Sequence, residues 1–167
     1  MYQVGDQVLY GMHGVCRILG EEKRMLDKKQ IVYLILEPLN QEGTQYFIPE
    51  HNAAAMAKLR PILTKQELDV MLRSSEIRQQ EWIRDENLRK QTYRELITSG
   101  KRSALMAMLY MLYRHRLAQS RIGKKVHLAD ENFLKDAEKL LAEEISVTLG
   151  LPAEQAKNFL REQLKSE

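Results

Sequence analysis

The first 60 residues carry short apolar runs bounded by glycine, proline and asparagine, the punctuation of β structure. Asp6 to Tyr10 reads as a strand entered through Gly5, Gly11-Met12-His13-Gly14 as a turn, and Val15 to Ile18 as the start of a second strand. Ile31 to Leu36 (Ile-Val-Tyr-Leu-Ile-Leu) is β-branched and continuous, the pattern of a strand covered on both faces. Asn40-Gln41-Glu42-Gly43 is a turn, and Thr44 to Ile48 a further strand stopped by Pro49. Four or five short strands in this span predict a small Tudor- or SH3-like β-barrel over residues 1–60. Such a module buries a small core and leaves strand edges free, which suits it to docking.

Beyond Pro61 the period of the pattern becomes helical. Thr64-Lys65-Gln66-Glu67 is a capping box that opens a short helix to Leu72, broken at Ser74-Ser75. A helix from about Ile77 to Ile97 then carries the single tryptophan, Trp82, and is closed by Gly100. Thr92, Tyr93, Leu96 and Ile97 share one apolar side, and the same row runs back through Arg89 and Asp85 to Trp82. Charges on that row predict that packing stops short of Trp82 and that the indole projects beyond the core, among Arg78, Arg84, Arg89 and Lys90. Leu105, Met108, Leu109 and Leu112 form the stripe of the next helix, with Met106 and Met111 as further core filler. That helix ends in Arg114-His115-Arg116 and a basic loop, Arg121-Ile122-Gly123-Lys124-Lys125. Phe133, Leu134, Ala137, Leu140, Leu141 and Ile145 mark a long fourth helix ended by Gly150, and Pro152 opens a last one through Phe159, Leu160 and Leu164. The chain therefore reads as α+β: an N-terminal β-barrel over residues 1–60 and an all-helical bundle of about five helices over 61–167. The hinge falls at Lys58 to Leu63.

Composition adds little until charge is divided along the chain. With 44% apolar and 29% charged residues the 167-residue chain is globular rather than disordered. One cysteine, Cys16, fits a reducing compartment, and the N-terminus has no charged-then-apolar export pattern. Runs such as Ala104 to Tyr113 are too short for a membrane span, so a cytoplasmic protein without a membrane partner is expected. The net charge of +3 is uneven: residues 1–60 are neutral, residues 61–128 carry fourteen basic and seven acidic side chains, and residues 129–167 are net negative. An aromatic inside a basic segment is what a polyanion-binding face needs. The plainer readings are a solvated helical surface and a tryptophan packed on a neighbouring helix.

Catalytic and metal chemistry find no support in the pattern. His13, His51, His115 and His127 lie at no metal-ligand spacing and read as isolated surface or turn histidines, and one cysteine cannot build a zinc site. No Lys-Ser/Thr follows Gly11–Gly14 to make a phosphate loop, and Cys16 has no neighbouring base. Glu143-Glu144 reads as part of a solvated helix face. A protein that is not an enzyme and holds no cofactor or metal is expected.

Val4-Gly5-Asp6-Gln7-Val8-Leu9-Tyr10, His13-Gly14-Val15, the Tyr33-Leu34 strand and Ile48-Pro49 before Asn52 resemble the CarD/CdnL family of bacterial transcription regulators. Leu59-Arg60, a tryptophan-bearing helix ended by Ser99-Gly100, and the Ala137-to-Glu144 run carry the resemblance across the chain. It implies a Tudor-like N-terminal domain, shared with transcription-repair coupling factor, that binds the RNA polymerase β subunit. It implies also a helical domain that contacts promoter DNA, with Trp82 as a minor-groove wedge at the upstream edge of the bubble, so that the open complex is stabilised. On this resemblance Arg24 is a polymerase contact, and Lys23, Tyr46 and Phe47 are placed with it. Phe47 stands where some members have a second arginine, and the interval from Trp82 to Gly100 is about one helical turn (~5.4 Å) longer than in other members.

The phosphate contacts expected in the basic segment are Arg84, Arg89, Lys90, Arg94, Lys124 and Lys125. No recognition helix with clustered Asn, Gln and Arg stands out, so little sequence specificity is expected. The chain is expected to act as a monomer. Two other readings stay open: a polymerase-docking adaptor whose helical domain binds another protein, and a freestanding DNA-binding repressor.

Overall fold

Two separate clusters of buried side chains organise the chain, and it divides between Ile62 and Leu63 into a β unit and a helical unit. The computed structural model describes residues 2–165. In the first unit β1 (Gln7–Tyr10), β2 (Val15–Leu26), β3 (Lys29–Pro38), β4 (Tyr46–Pro49) and β5 (Leu59–Pro61) form one antiparallel sheet in the order β4-β3-β2-β1-β5. Among the described residues β4 and β5 do not pair, so the sheet is open where a closed barrel was expected. The long β2–β3 hairpin turns on Asp27 and Lys28, both at positive φ (49° and 64°), the mirror-image turn that matches strand twist.

Burial along β3 alternates. Leu34 and Leu36 are buried with Val8, Cys16, Ile18, Ile48 and Leu59, whereas Ile31, Tyr33 and Ile35 are half-exposed on the opposite face. This corrects the expectation of a strand covered on both sides: the sheet has one packed face, as an antiparallel sheet can. The expected hinge is also structured. Leu59–Pro61 is the outermost strand and pairs with β1, with Leu59 in the core and Pro61 where an edge strand tolerates a missing donor. A helical turn, α1 (Ala53–Met56), precedes it, capped by the Asn52 side chain accepting from Ala55 N at 3.0 Å.

The helical unit contains α2 (Lys65–Arg73), α3 (Glu86–Ser99), α4 (Arg102–Arg121), α5 (Leu128–Leu149) and α6 (Ala153–Lys165). Thr64 caps α2 by accepting from Glu67 N at 3.1 Å, and Gly100 and Gly150 end α3 and α5 in the left-handed region (φ 63° and 67°). Leu105 to Leu109 of α4 are all buried, with Ala137, Leu141 and Ile145 of α5 and Leu160 and Leu164 of α6 around them. The core also holds carboxylates. Glu144 is 2% exposed, accepts from Arg102 at 2.7 and 2.6 Å, and accepts from Leu63 N at 3.0 Å. It is therefore a buried tie and not part of a solvated face. Burial would raise the Glu138 carboxyl, but the bonds it accepts from Arg161 and Tyr113 outweigh burial and hold it below the usual carboxylate range. No helix among the described residues is long and apolar enough to cross a membrane.

The tryptophan helix expected from Ile77 is divided. Ile77 lies in a separate 3₁₀ turn (Glu76–Arg78), tied back by Arg78 donating to the Leu72 and Ser74 carbonyls at 2.7 and 3.1 Å. Residues 79–84 are irregular, and α3 starts only at Glu86, because the Asp85 side chain accepts from Leu88 N at 2.8 Å and caps it. The residue spacing 82, 85, 89, 93, 96 mimics one helical row, but an aspartate placed to bond its own downstream backbone starts a helix there instead of continuing one.

Candidate nucleic-acid interface

Trp82 sits in the irregular segment before α3, so its direction is set by side-chain contacts and not by a helical row. The indole is half-buried against the helical core. The His115 imidazole, from α4, stacks on it with ring centroids 3.9 Å apart and planes 9° apart, and Tyr93 meets it edge-on at 6.4 Å. The Arg89 guanidinium lies over the ring, 4.6 Å from its centroid. The indole thus does not project free of the core.

Arg89 itself is only 4% exposed. Its Nε and Nη2 donate to the two Asp130 carboxylate oxygens at 2.8 Å each, and its Nη1 donates to the Ile83 carbonyl at 2.9 Å. A guanidinium this deeply buried, with its charge paired to a carboxylate on two nitrogens and its third bound to a carbonyl, is not presented to a phosphate, so the expected phosphate contact at Arg89 is corrected to an internal one.

An open groove of about 590 Å³ borders the indole. Arg84 enters it from the same segment, Gln119 from the end of α4, and Lys124, Lys125 and His127 from the α4–α5 loop. Lys124 and Lys125 also line a second hollow with Arg116 and Ser120, so the loop presents both lysines on two sides. Three of the expected cations, Arg84, Lys124 and Lys125, are thereby brought beside Trp82 and are exposed. The other two expected there are not. Lys90 is bonded to Glu86 at 2.9 Å, which holds the Glu86 carboxyl below its usual range, and Arg94 is exposed on α3 outside the groove.

His115, Gln119, His127 and Asp130 belong to this site although sequence reasoning did not place them there. Burial chiefly, with Arg89 and His127 reinforcing it and Asp130 opposing, lowers the His115 pKa below the ordinary histidine value, so the stacked ring is neutral at pH 7. Among the described residues no group of three or more potential ligands could hold a metal ion.

The β unit has its own exposed feature. On the unpacked face Arg24 of β2 lies over Phe47 of β4, 4.5 Å from the ring centroid, and 5.9 Å from that of Tyr33 of β3, with Glu22 accepting from its Nε at 2.9 Å. Tyr33 and Phe47 meet edge-on at 6.4 Å. Lys23 is exposed one residue away, so the pleat turns it to the other side of β2. Tyr46 likewise points away from Phe47: it packs on the sheet core with His13 and Tyr10, at 4.6 and 5.8 Å between ring centroids. Of the four expected polymerase contacts, Arg24 and Phe47 are brought together, Tyr33 joins them, and Tyr46 and Lys23 lie elsewhere.

Residues 2–63 match the CarD-like/TRCF RID domain. No curated protein matches the chain. The RID match takes in all five strands and ends at the boundary of the first unit. Arg24, Tyr33 and Phe47 lie inside it, while Trp82 and its basic groove lie in the helical unit beyond it.

Proposed function

We propose that this protein docks on the RNA polymerase β subunit through its RID-matched unit and holds promoter DNA at the bubble edge with the groove beside Trp82, stabilising the open complex. The observation that carries the reading is the match over residues 2–63. The Arg24–Phe47–Tyr33 face supports it as a docking surface, since an arginine over two partly exposed rings is the composition of an interface centre. For the DNA half, support comes from the partly exposed indole bordered by Arg84, Lys124 and Lys125.

The energetics are consistent with such a role. Phosphate contacts from three cations give weak, salt-sensitive binding, which tethering through polymerase raises by effective concentration. An indole that met a base step would give up its His115 stack, worth ~0.5–1.5 kcal/mol, for a base contact worth ~1–3 kcal/mol. The exchange favours DNA only where the step is already opening, because unstacking an intact step costs a few kcal/mol. A contact stronger in the melted state than in the duplex is what shifts promoter melting; equal binding to both would shift nothing.

The docking half is tested by capture of the β subunit on the full chain. Arg24→Glu, which reverses charge over Phe47, is expected to reduce capture strongly while leaving the melting temperature unchanged, since Arg24 is exposed. Undiminished capture would remove the Arg24 face from the interface.

A further inference from the structure

The Arg89–Asp130 pair poses a physical question, because a fully buried ion pair rarely stabilises a fold more than apolar residues of the same volume. Arg89 is 4% exposed and Asp130 is not exposed at all. What the pair does supply is geometry. Asp130, in the first turn of α5, fixes two nitrogens of the guanidinium fork at 2.8 Å, which leaves Nη1 aimed at the Ile83 carbonyl and the flat of the group over Trp82. Ile83 directly follows Trp82. Among the described residues, 80–84 make no backbone-to-backbone hydrogen bond of their own, so nothing in the local backbone sets the course of this segment. The bond to Ile83 and the cation over the indole bind the segment to α3 and α5 at the point where the ring borders the groove.

We infer that Arg89 and Asp130 are positioning residues, which hold Trp82 and its segment in place beside the basic groove. The functional half of this inference rests on the DNA reading given above; the structural half does not. Pre-organising the indole matters because a contact that must first be ordered loses part of its free energy to that ordering.

Trp82 is the only tryptophan, so its fluorescence reports on this segment alone. Two variants of the full chain are compared with wild type. Arg89→Met with Asp130→Leu removes both charges together, so no buried charge is stranded. Arg89→Lys keeps Asp130 paired, but a single ammonium cannot also span to the Ile83 carbonyl and cover the ring. Both are expected to melt cooperatively near the wild-type temperature, to shift Trp82 emission to the red, and to lose its protection from acrylamide quenching. Binding to a short bubble-containing duplex should weaken by about fivefold or more, the low end of what one stacked aromatic supplies. In a Trp82→Ala background, Arg89→Lys should cause no further loss, because the two act through one contact.

Wild-type emission and quenching in two folded variants would overturn the inference, since packing alone would then hold the indole. So would loss of cooperative melting in both, which would make the pair a brace for the core, or a further loss of DNA binding in the Trp82→Ala background. If wild type and a Lys124→Glu, Lys125→Glu chain bind the bubble duplex equally, the groove is not the DNA interface. Emission and quenching still decide whether the pair positions Trp82.

Discussion

At His115 the α4 stripe of Leu105, Met108 and Leu112 continues one turn beyond its last apolar residue, and the imidazole lands on the Trp82 ring. Burial keeps the stacked histidine a neutral ring at pH 7, since burial, Arg89 and His127 together outweigh Asp130 and keep its pKa low. The sign of the consequence follows from linkage. The unfolded chain takes up the proton first, near the ordinary value of about 6.5, so the contribution of this ring to stability is complete above that pH and is lost as pH falls through it toward the folded value. We expect the wild-type melting temperature to drop between pH 7 and pH 5 by more than that of His115→Phe, which keeps a stacked ring but cannot titrate. His13, whose pKa is likewise lowered by burial and by Lys58, is present in both chains, so its contribution cancels in the difference. Equal drops would mean that the imidazole is not the titrating group. The residue was legible in part: positions 108, 112 and 115 share the helical spacing, but a histidine between two arginines reads as surface. Arg89 misled in the opposite direction, because Asp130, which takes its charge inward, lies 41 residues away.

Among the elements, α5 does most to set the helical unit in order, and it does so with acids. Asp130, Glu138 and Glu144 all lie on its buried side, and each takes an arginine from a different helix: Arg89 of α3, Arg161 of α6 and Arg102 of α4. Glu144 also accepts from Leu63 N, while Thr148 donates to the Leu63 carbonyl at 2.8 Å, so α5 secures the first residue of the unit. Glu144→Ala takes the carboxylate away from a nearly buried guanidinium and from the Leu63 backbone donor. Breaking a buried pair from one side costs about 3–5 kcal/mol. For a domain of this size that corresponds to a fall in melting temperature of more than about 10 °C. Replacing both partners, Arg102→Leu with Glu144→Leu, should cost much less. A single variant as stable as wild type, measured by calorimetry, would refute this account of α5. The helices were legible because their apolar stripes are regular; the carboxylates were not, because periodicity registers apolar residues and treats an acid inside a stripe as a gap. The same limit hid β5, three residues long and containing a proline, and the β2–β3 turn, which uses Asp27-Lys28 where a glycine would have announced it.

On the scale of the whole molecule, the division of charge anticipated the division of labour proposed for it. The neutral β unit is the part that matches the RID domain, and the exposed cations around Trp82 come from the segment with the basic excess. What the totals could not convey is that several of those basic residues, Arg89 and Arg102 among them, are turned inward to carboxylates, so the exposed positive groove is narrower than the count of charges suggests. The proposal therefore rests on few contacts, each with a large share of the effect, and on tethering to make weak DNA binding count. The measurement that tests it most directly is the lifetime of a promoter open complex, challenged with a competitor, in the presence of saturating wild-type chain or of Trp82→Ala, with retention on polymerase followed in the same samples. The account predicts that wild type lengthens the lifetime and that Trp82→Ala, still bound to polymerase, shortens it roughly 5- to 150-fold toward that of polymerase alone, the range expected for one stacked aromatic contact. An open complex equally long-lived with and without the indole would contradict it.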